Sequence, residues 1–257
     1  PQVAGMNAIL YAAAAAGLVD ANHVANVLAQ VRRETGGYMS PIKETVMPSH
    51  RDKNPSDAEV IKRLDLAYAA GKLPWVKAPY WRDGWFGRGP IQVTTKANYE
   101  RVGRAIGINL AYDPSLALVP EIGAKIAVIG MRDGLFTGKR LADYLFPDAL
   151  GAAPSKNPRR IVNGKDGSDV EVAKFHRQFH KALVAAGWDV RLEAPLITTK
   201  PVVVTEPPHE ARQTPTTKPV ASQNQPEAKH KAPGIVALIA AASAAIYGGW
   251  HWITSLF

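Results

Sequence analysis

Two glutamates, Glu34 and Glu44, occupy positions from which a carboxyl group could do acid–base chemistry. Glu34 comes in the last turn of an apolar-faced helical segment, just before two glycines. The negative end of a helix dipole disfavours a charged carboxylate, so the protonated form needed by a general acid is favoured there. The alternative is an exposed Glu34 paired with Arg32 or Arg33.

Glu44 follows ten residues later in the segment PIKET. Two carboxylates joined by a turn can face each other across a cleft, and a gap of about 6.5–9.5 Å admits a water molecule that one of them could activate. The spacing along the chain does not fix this gap, and a surface position is the alternative for Glu44. Together the two residues form a candidate acid–base pair.

The segment WFGRGPIQVTTKANY, residues 85–99, offers a set of hydrogen-bonding groups. Arg88 supplies a donor fork, and Gln92, Thr94 and Asn98 supply neutral groups suited to hydroxyl and acetamido groups. Five aromatic residues lie close by, at Trp75, Tyr80, Trp81, Trp85 and Phe86, and could stack on sugar rings or fill a core. The two glycines do not form a nucleotide fingerprint, because the third glycine and the P-loop lysine are missing.

Helices must position these groups. Residues 23–33 place apolar side chains at i, i+3, i+4 and i+7, which predicts a helix ending at the two glycines. Further helical patterns cover residues 57–71, 95–106, 120–133 and 168–187. The run NAILYAAAAAGLV predicts a first amphipathic helix rather than a signal peptide, because it has no basic start and Asp20 fits a helix cap. Strand-like alternation is scarce, so we expect a mainly α-helical body with a possible small hairpin.

Composition narrows the classes of site and partner. The 257-residue chain has no cysteine, which excludes disulfides, a thiolate nucleophile and cysteine-based zinc sites. Its formal charge of +9 favours an anionic partner such as nucleic acid, phospholipid or a cell-wall polymer. His176 and His180 have the i, i+4 spacing of zinc ligands, but no third ligand accompanies them, so a surface or packing role is favoured.

The C-terminal quarter differs in composition from the rest. Residues 195–233 carry eight prolines and no aromatic residue, which is typical of a flexible linker. Residues 234–257 contain no Asp, Glu, Lys or Arg, and as a helix they would span about 36 Å, enough for a bilayer core of about 30 Å. We therefore expect a globular domain at 1–194, the linker, and a transmembrane anchor at 234–257, with a buried core helix as the alternative. The globular part keeps 26 basic against 19 acidic residues, a charge of +7.

Several segments together resemble one enzyme family. The chain is similar to the family 19 glycoside hydrolases, and most to the branch of bacteriophage endolysins and related cell-wall lysins, in ANVLAQVRRETGGY, PIKET, GWFGRGPIQVTTKANYERVGRAIGINL, DPSLAL and RRIVNG. The similarity covers about residues 5–190. It implies a lysozyme-like α-helical fold and an inverting hydrolysis of β-1,4 bonds to N-acetylated amino sugars, with no metal or other cofactor.

The resemblance assigns roles to individual residues. Glu34 matches the general acid, with Arg33 where the family usually has histidine. Glu44 matches the general base of the phage-type branch, whereas plant-type relatives place theirs farther along the chain. Thr94 occupies the position that holds the nucleophilic water. The expected substrate-binding residues are Gln92, Asn98, Arg88, Asn163, Arg160 and Tyr99. Asn163 resembles an Asn-Gly loop lining the cleft, and Arg160 either braces the carboxylates or packs structurally.

These observations lead to a hypothesis about location and partners. We expect a peptidoglycan hydrolase, anchored in a phage virion membrane or the host cytoplasmic membrane and acting on the periplasmic cell wall. Its expected partners are peptidoglycan glycan strands and lipid through residues 234–257, with virion or holin proteins as candidates. Nucleic acid is not expected, because an anionic wall explains the basic KNPRR segment equally well. The alternatives are a chitinase, or a non-catalytic glycan-binding structural protein of a virion membrane.

Overall fold

The computed structural model describes residues 2–47, 49–164 and 166–188. Within these ranges the chain forms six α-helices, a two-stranded antiparallel sheet and several short 3-10 helices. The helices are α1 (Gln2–Ala15), α2 (Ala21–Glu34), α3 (Asp57–Ala69), α4 (Lys96–Ile106), α5 (Pro120–Asp133) and α6 (Asp169–Ala185). The strands are β1 (Ile42–Lys43) and β2 (Arg88–Gly89). The prediction of a mainly α-helical body is confirmed, and each helical pattern found in the sequence coincides with a helix.

Helix α2 lies at the centre of the main core. It contacts α1, α5 and α6, most extensively α6, and ten of its fourteen residues are buried. Its apolar residues at i, i+3, i+4 and i+7, among them Val24 and Val31, are completely buried, as the periodicity predicts. Since so much of α2 faces other helices, the glutamate that ends it also lies in the interior, with only 2% of its surface exposed.

Both ends of α2 are fixed by local hydrogen bonds. The Asp20 side chain accepts bonds from the backbone N–H groups of Asn22 and His23, which is the expected N-terminal cap. At the other end Thr35 Oγ1 donates to Val31 O at 2.7 Å and accepts from the Met39 N–H at 2.9 Å. The following glycines have positive φ values and turn the chain away. The position of Glu34 at the end of α2 is therefore well defined.

The small sheet joins two segments that are far apart in sequence, whereas the sequence pattern allowed for a small hairpin. Strand β1 pairs with β2 in the register Ile42 with Gly89 and Lys43 with Arg88. Directly after β1, the Glu44 N–H donates to Gly87 O at 2.7 Å. The pairing places Glu44 beside the GRGPIQ segment.

A second, smaller core supports this sheet from the side of α3. It contains the buried residues Val60, Leu64, Ala67, Leu73, Trp81 and Phe86. Trp81 and Phe86 are completely buried, so two of the five aromatic residues noted in the sequence belong to the core. Trp75, Tyr80 and Trp85 are partly exposed.

The predicted linker at 195–233 and the predicted anchor at 234–257 lie outside the described residues. No helix within the described ranges is both long enough and apolar enough to span a bilayer.

Candidate active site

Glu34 forms an ion pair with an arginine from a segment that is distant in sequence. Arg159 lies in a short 3-10 helix, Pro158–Ile161, and its Nη2 is 2.6 Å from Glu34 Oε1. The side chains are 3% and 2% exposed, so the pair is shielded from water. In the described part of the chain, Glu34 has no other polar partner.

Arg159 also binds Asp166, and more extensively. Its Nη2 donates to Asp166 Oδ2 at 2.7 Å, and its Nε lies within 3.3 Å of both carboxylate oxygens. Burial alone would raise the pKa of Asp166, but the charge of Arg159 and hydrogen bonds from Arg159 and Ser168 lower it to about 2. Asp166 is therefore an anion at neutral pH, and we call Glu34, Arg159 and Asp166 the arginine cluster.

The arginine that contacts both buried carboxylates is Arg159, and substrate binding by Arg160 stays a prediction. The two arginines are adjacent, and the 3-10 turn points the first of them inward. Arg160 is half-buried, and its backbone oxygen accepts a bond from Thr137 Oγ1. No hydrogen bond or ion pair of the Arg160 side chain is found among the described residues, so the packing alternative suits it better.

Glu44 is buried in a different electrostatic setting. Tyr80 Oη donates to Glu44 Oε1 at 2.8 Å, and the Gly87 N–H donates to Oε2 at 2.7 Å. Burial raises the pKa of Glu44, while these two bonds and the nearby charge of Arg88 oppose the rise. Both oxygens thus accept hydrogen bonds from neutral donors, an arrangement suited to a carboxylate that takes up a proton during a reaction.

Gly87 and Gln92 form the floor beneath Glu44. A Cβ atom on Gly87 would lie 2.7 Å from Gln92 Oε1 and 3.4 Å from Glu44 Oε2, so only glycine fits without displacement. Gln92 Nε2 donates to Ile42 O at 2.9 Å and Gly89 O at 2.8 Å, which ties the two strands together. Binding of sugar by Gln92 stays a prediction.

Arg88 and Tyr99 hold the loop together from inside, and substrate binding by either residue stays a prediction. The Arg88 guanidinium pairs with Asp57 at 2.9 Å, donates to Gly84 O at 2.8 Å and lies over the Phe86 ring. Tyr99 is completely buried, and its hydroxyl donates to Phe86 O at 3.0 Å. Both side chains are buried and hold the backbone of the loop through these contacts.

Thr94 has the environment expected of a group that binds water or substrate. Its hydroxyl is buried and has no hydrogen-bond partner within the described ranges. An unpaired buried hydroxyl is costly, so a partner that arrives with substrate or solvent would stabilise it.

The two asparagines expected to bind substrate lie in different surroundings. Asn98 is half-exposed and accepts a bond from Arg101 at 2.8 Å. Asn163 is buried next to the arginine cluster, with its Nδ2 3.4 Å from Asp166 Oδ2.

Comparison with known proteins decides the family. A family model for glycoside hydrolase family 19, described as chitinase class I, matches residues 7–130, which include Glu34, Glu44 and Thr94. Residues 7–130 belong to glycoside hydrolase family 19. This family 19 protein is accordingly a glycosidase.

Two solved structures of chitinase C are similar to this family 19 protein. A mutant of chitinase C is 24% identical, with a TM-score of 0.44, and the match covers 70% of this chain and 83% of the other. Chitinase C from Streptomyces griseus has the same identity and TM-score, with coverage of 70% and 68%.

Three residues that contact the candidate carboxylates have no clear signal in the sequence. Arg159 could not be told from Arg160, and Asp166 carried no motif beyond following the Asn-Gly pair by two residues. The sequence indicates only an aromatic ring at Tyr80, whereas the Tyr80 hydroxyl donates a hydrogen bond to Glu44. His176 packs between α2 and the Phe146 ring, as the packing interpretation expects, and the described residues contain no cluster suited to a metal ion.

Proposed function

We propose that this family 19 glycosidase hydrolyses β-1,4 bonds between N-acetylated amino sugars of peptidoglycan by an inverting mechanism. Glu34 donates a proton to the glycosidic oxygen, and Glu44 takes a proton from a water on the opposite face of the sugar. Thr94 orients that water, and Gln92, Asn98 and Asn163 contribute to glycan binding. The observation that carries the proposal is the contrast between the two buried carboxyl environments.

The arginine cluster is electrically balanced when Glu34 carries a proton. Asp166 neutralises Arg159 through a bidentate contact, so a neutral Glu34 leaves no unpaired charge in the interior. After Glu34 gives up its proton, Arg159 stabilises the new carboxylate at 2.6 Å. The cluster therefore accommodates both states that a general acid passes through.

Glu44 suits the complementary role. Its two hydrogen-bond donors, the Tyr80 hydroxyl and the Gly87 N–H, stabilise the anionic form, and its raised pKa makes it a stronger base than an exposed glutamate. Since its pKa lies above the usual value, activity should rise with pH as Glu44 ionises.

Charge favours peptidoglycan over chitin as the substrate. Residues 1–194 carry +7, which suits an anionic cell wall, whereas chitin is uncharged. The matched solved structures are named chitinases, so chitin is the second candidate. Purified peptidoglycan and chitin oligomers, incubated in parallel with the full-length protein, separate the two. We expect release of reducing ends from peptidoglycan with the α-anomer as first product, and faster turnover of chitin would refute the preference.

We further propose that the enzyme is a phage lysin attached to a membrane by residues 234–257. The support is the uncharged 24-residue composition of that segment and the proline-rich segment before it. Co-sedimentation of full-length protein with liposomes, and release into the supernatant after proteolysis in the linker, is the expected result. A full-length protein that stays in the supernatant would contradict the anchor.

A non-catalytic glycan-binding role in a virion membrane is the competing class. Both buried carboxylates and the unpaired Thr94 hydroxyl argue against it, because a binding module has no use for costly buried groups. Binding of peptidoglycan without any release of reducing ends would support that class instead.

A further inference from the structure

A stripe of polar side chains runs along the face of α2 that ends in Glu34. Asn22, Asn26, Gln30 and Glu34 follow one another at i+4 spacing, so they share one side of the helix. Asn26 and Gln30 have no exposed surface at all. Burying two amides is unfavourable unless their hydrogen bonds are made, so their partners explain why they are there.

The outer end of the stripe meets His176 of α6. His176 Nε2 lies 3.3 Å from Asn22 Oδ1, and His176 Nδ1 lies 3.4 Å from Asn26 Nδ2. Asn26 Oδ1 in turn accepts a bond from Gln30 Nε2 at 3.4 Å. His176 is 1% exposed, and the Phe146 ring stacks on its face at a centroid distance of 5.0 Å.

The inner end of the stripe reaches the arginine cluster. Arg159 Nη1 donates to Gln30 Oε1 at 2.7 Å, and Gln30 Nε2 also donates to Pro158 O at 3.0 Å. Arg159 then contacts Glu34 through its other terminal nitrogen. A continuous series of polar contacts therefore connects His176 with the carboxyl group of Glu34.

The direction of the hydrogen bonds is fixed at the Arg159 end. A guanidinium only donates and a backbone carbonyl only accepts, so Gln30 must present Oε1 to Arg159 and Nε2 to Pro158 and Asn26. Asn26 must then present Oδ1 to Gln30 and Nδ2 to His176. His176 Nδ1 must accept, which only the neutral imidazole with its proton on Nε2 can do.

We propose that Asn26, Gln30 and His176 form a directional hydrogen-bond chain that positions Arg159, and through it Glu34, only while His176 is neutral. The inference rests on the proposed role of Glu34 as the general acid. When His176 is protonated, its Nδ1–H and the Asn26 Nδ2–H are both donors and point at each other. The Asn26 amide then loses its fixed orientation, and Gln30 loses an acceptor.

The surroundings of His176 keep it neutral over most of the pH range. Burial is the main cause that lowers the pKa of His176, to about 4, and the neighbouring basic groups His180, Arg177 and His23 act in the same direction, while Asp20 opposes them. Phe146 closes the remaining side with an apolar ring. The hydrogen-bond chain therefore keeps its direction at neutral pH and is lost in acid.

The first test replaces Gln30 by methionine, which has a similar length but neither donates nor accepts strongly. Gln30→Met should lower kcat about tenfold or more while KM stays within about twofold, because Gln30 has no exposed surface through which it could contact a glycan. Gln178→Met, at an exposed glutamine of α6, is the matched control and should keep kcat. An unchanged kcat in Gln30→Met would overturn the proposal.

The second test follows the chain by NMR and does not depend on catalysis. In the wild-type protein the Gln30 side-chain amide signals should shift with the same pH midpoint as the His176 ring nitrogens, although the two residues do not touch. In Gln30→Met the His176 midpoint should move upward by about 0.5 unit or more, because Asn26 is free to turn. Amide signals that do not follow His176 would refute the chain even if Gln30→Met fails to fold. A wild-type protein without hydrolytic activity would instead refute the proposed function and leave this titration to decide the chain on its own.

Discussion

Replacement of Arg159 by methionine should destabilise the protein strongly, because it leaves two buried carboxyl groups without their cation. The side chains of Glu34 and Asp166 are each 2% exposed. Loss of one partner from a buried ion pair costs about 3–5 kcal/mol. The lowering of the Asp166 pKa from 3.8 to about 2 alone corresponds to about 2 kcal/mol at neutral pH. For a folded unit of this size we therefore expect Tm to fall by about 6–20 °C.

The pH dependence of this loss provides an internal check. Because the folded-state pKa of Asp166 is depressed, the stability it contributes is complete above its unfolded value of 3.8 and is lost as the pH falls toward about 2. The difference in unfolding free energy between wild type and Arg159→Met should therefore shrink below pH 4. Urea unfolding of the full-length proteins in a non-ionic detergent, at pH 7 and pH 3, measures this difference in unfolding free energy. Arg160→Met is the matched control, expected to cost less than about 1 kcal/mol. Equal losses for the two variants at pH 7 would show that Arg159 does not hold the carboxylates.

Three further variants test other parts of the site. Tyr80→Phe removes a hydrogen bond to the Glu44 carboxylate, so the pKa of Glu44 should rise further. The acidic midpoint of kcat/KM should then move up by about 1 pH unit, and an unmoved midpoint would exclude Glu44 as the ionising group. Gly87→Ala should lower kcat/KM about tenfold or more because the methyl group meets Gln92 and Glu44, whereas Gly151→Ala, where a Cβ meets nothing within 4 Å, should be neutral. The folded-state pKa of His176 is lowered to about 4 from 6.5, so the unfolding free energy of the wild type should fall by about 3 kcal/mol between pH 6.5 and pH 4. His176→Gln should show a smaller fall in chemical unfolding. An equal change of unfolding free energy with pH in the two proteins would argue against a neutral buried His176.

The helices could be predicted from sequence because their patterns are local. Apolar residues at helical spacing, an Asp20 cap and two glycines define α2, and the structure places the helix where these signals indicate. The burial of Glu34 follows from the same pattern, since a helix that contacts three others leaves little of its surface exposed.

The partners of the site residues could not be predicted because they depend on contacts between distant segments. Which of two adjacent arginines faces Glu34 is decided by the 3-10 turn at Pro158–Ile161, and sequence periodicity does not describe a turn this short. Arg88 and Tyr99 lie in a segment rich in binding groups, yet their polar atoms point inward to Asp57 and Phe86. A motif identifies a segment, whereas the direction of each side chain is set by tertiary packing.

The most direct test of the account is the activity of Glu34→Gln on purified peptidoglycan. The substitution keeps the shape of the side chain and an oxygen that can accept from Arg159, but it removes the transferable proton. We predict that the release of reducing ends falls by about 10²–10⁴-fold, while Tm stays within a few degrees of wild type. Activity equal to wild type in a folded Glu34→Gln protein would contradict the assignment of Glu34 as the general acid.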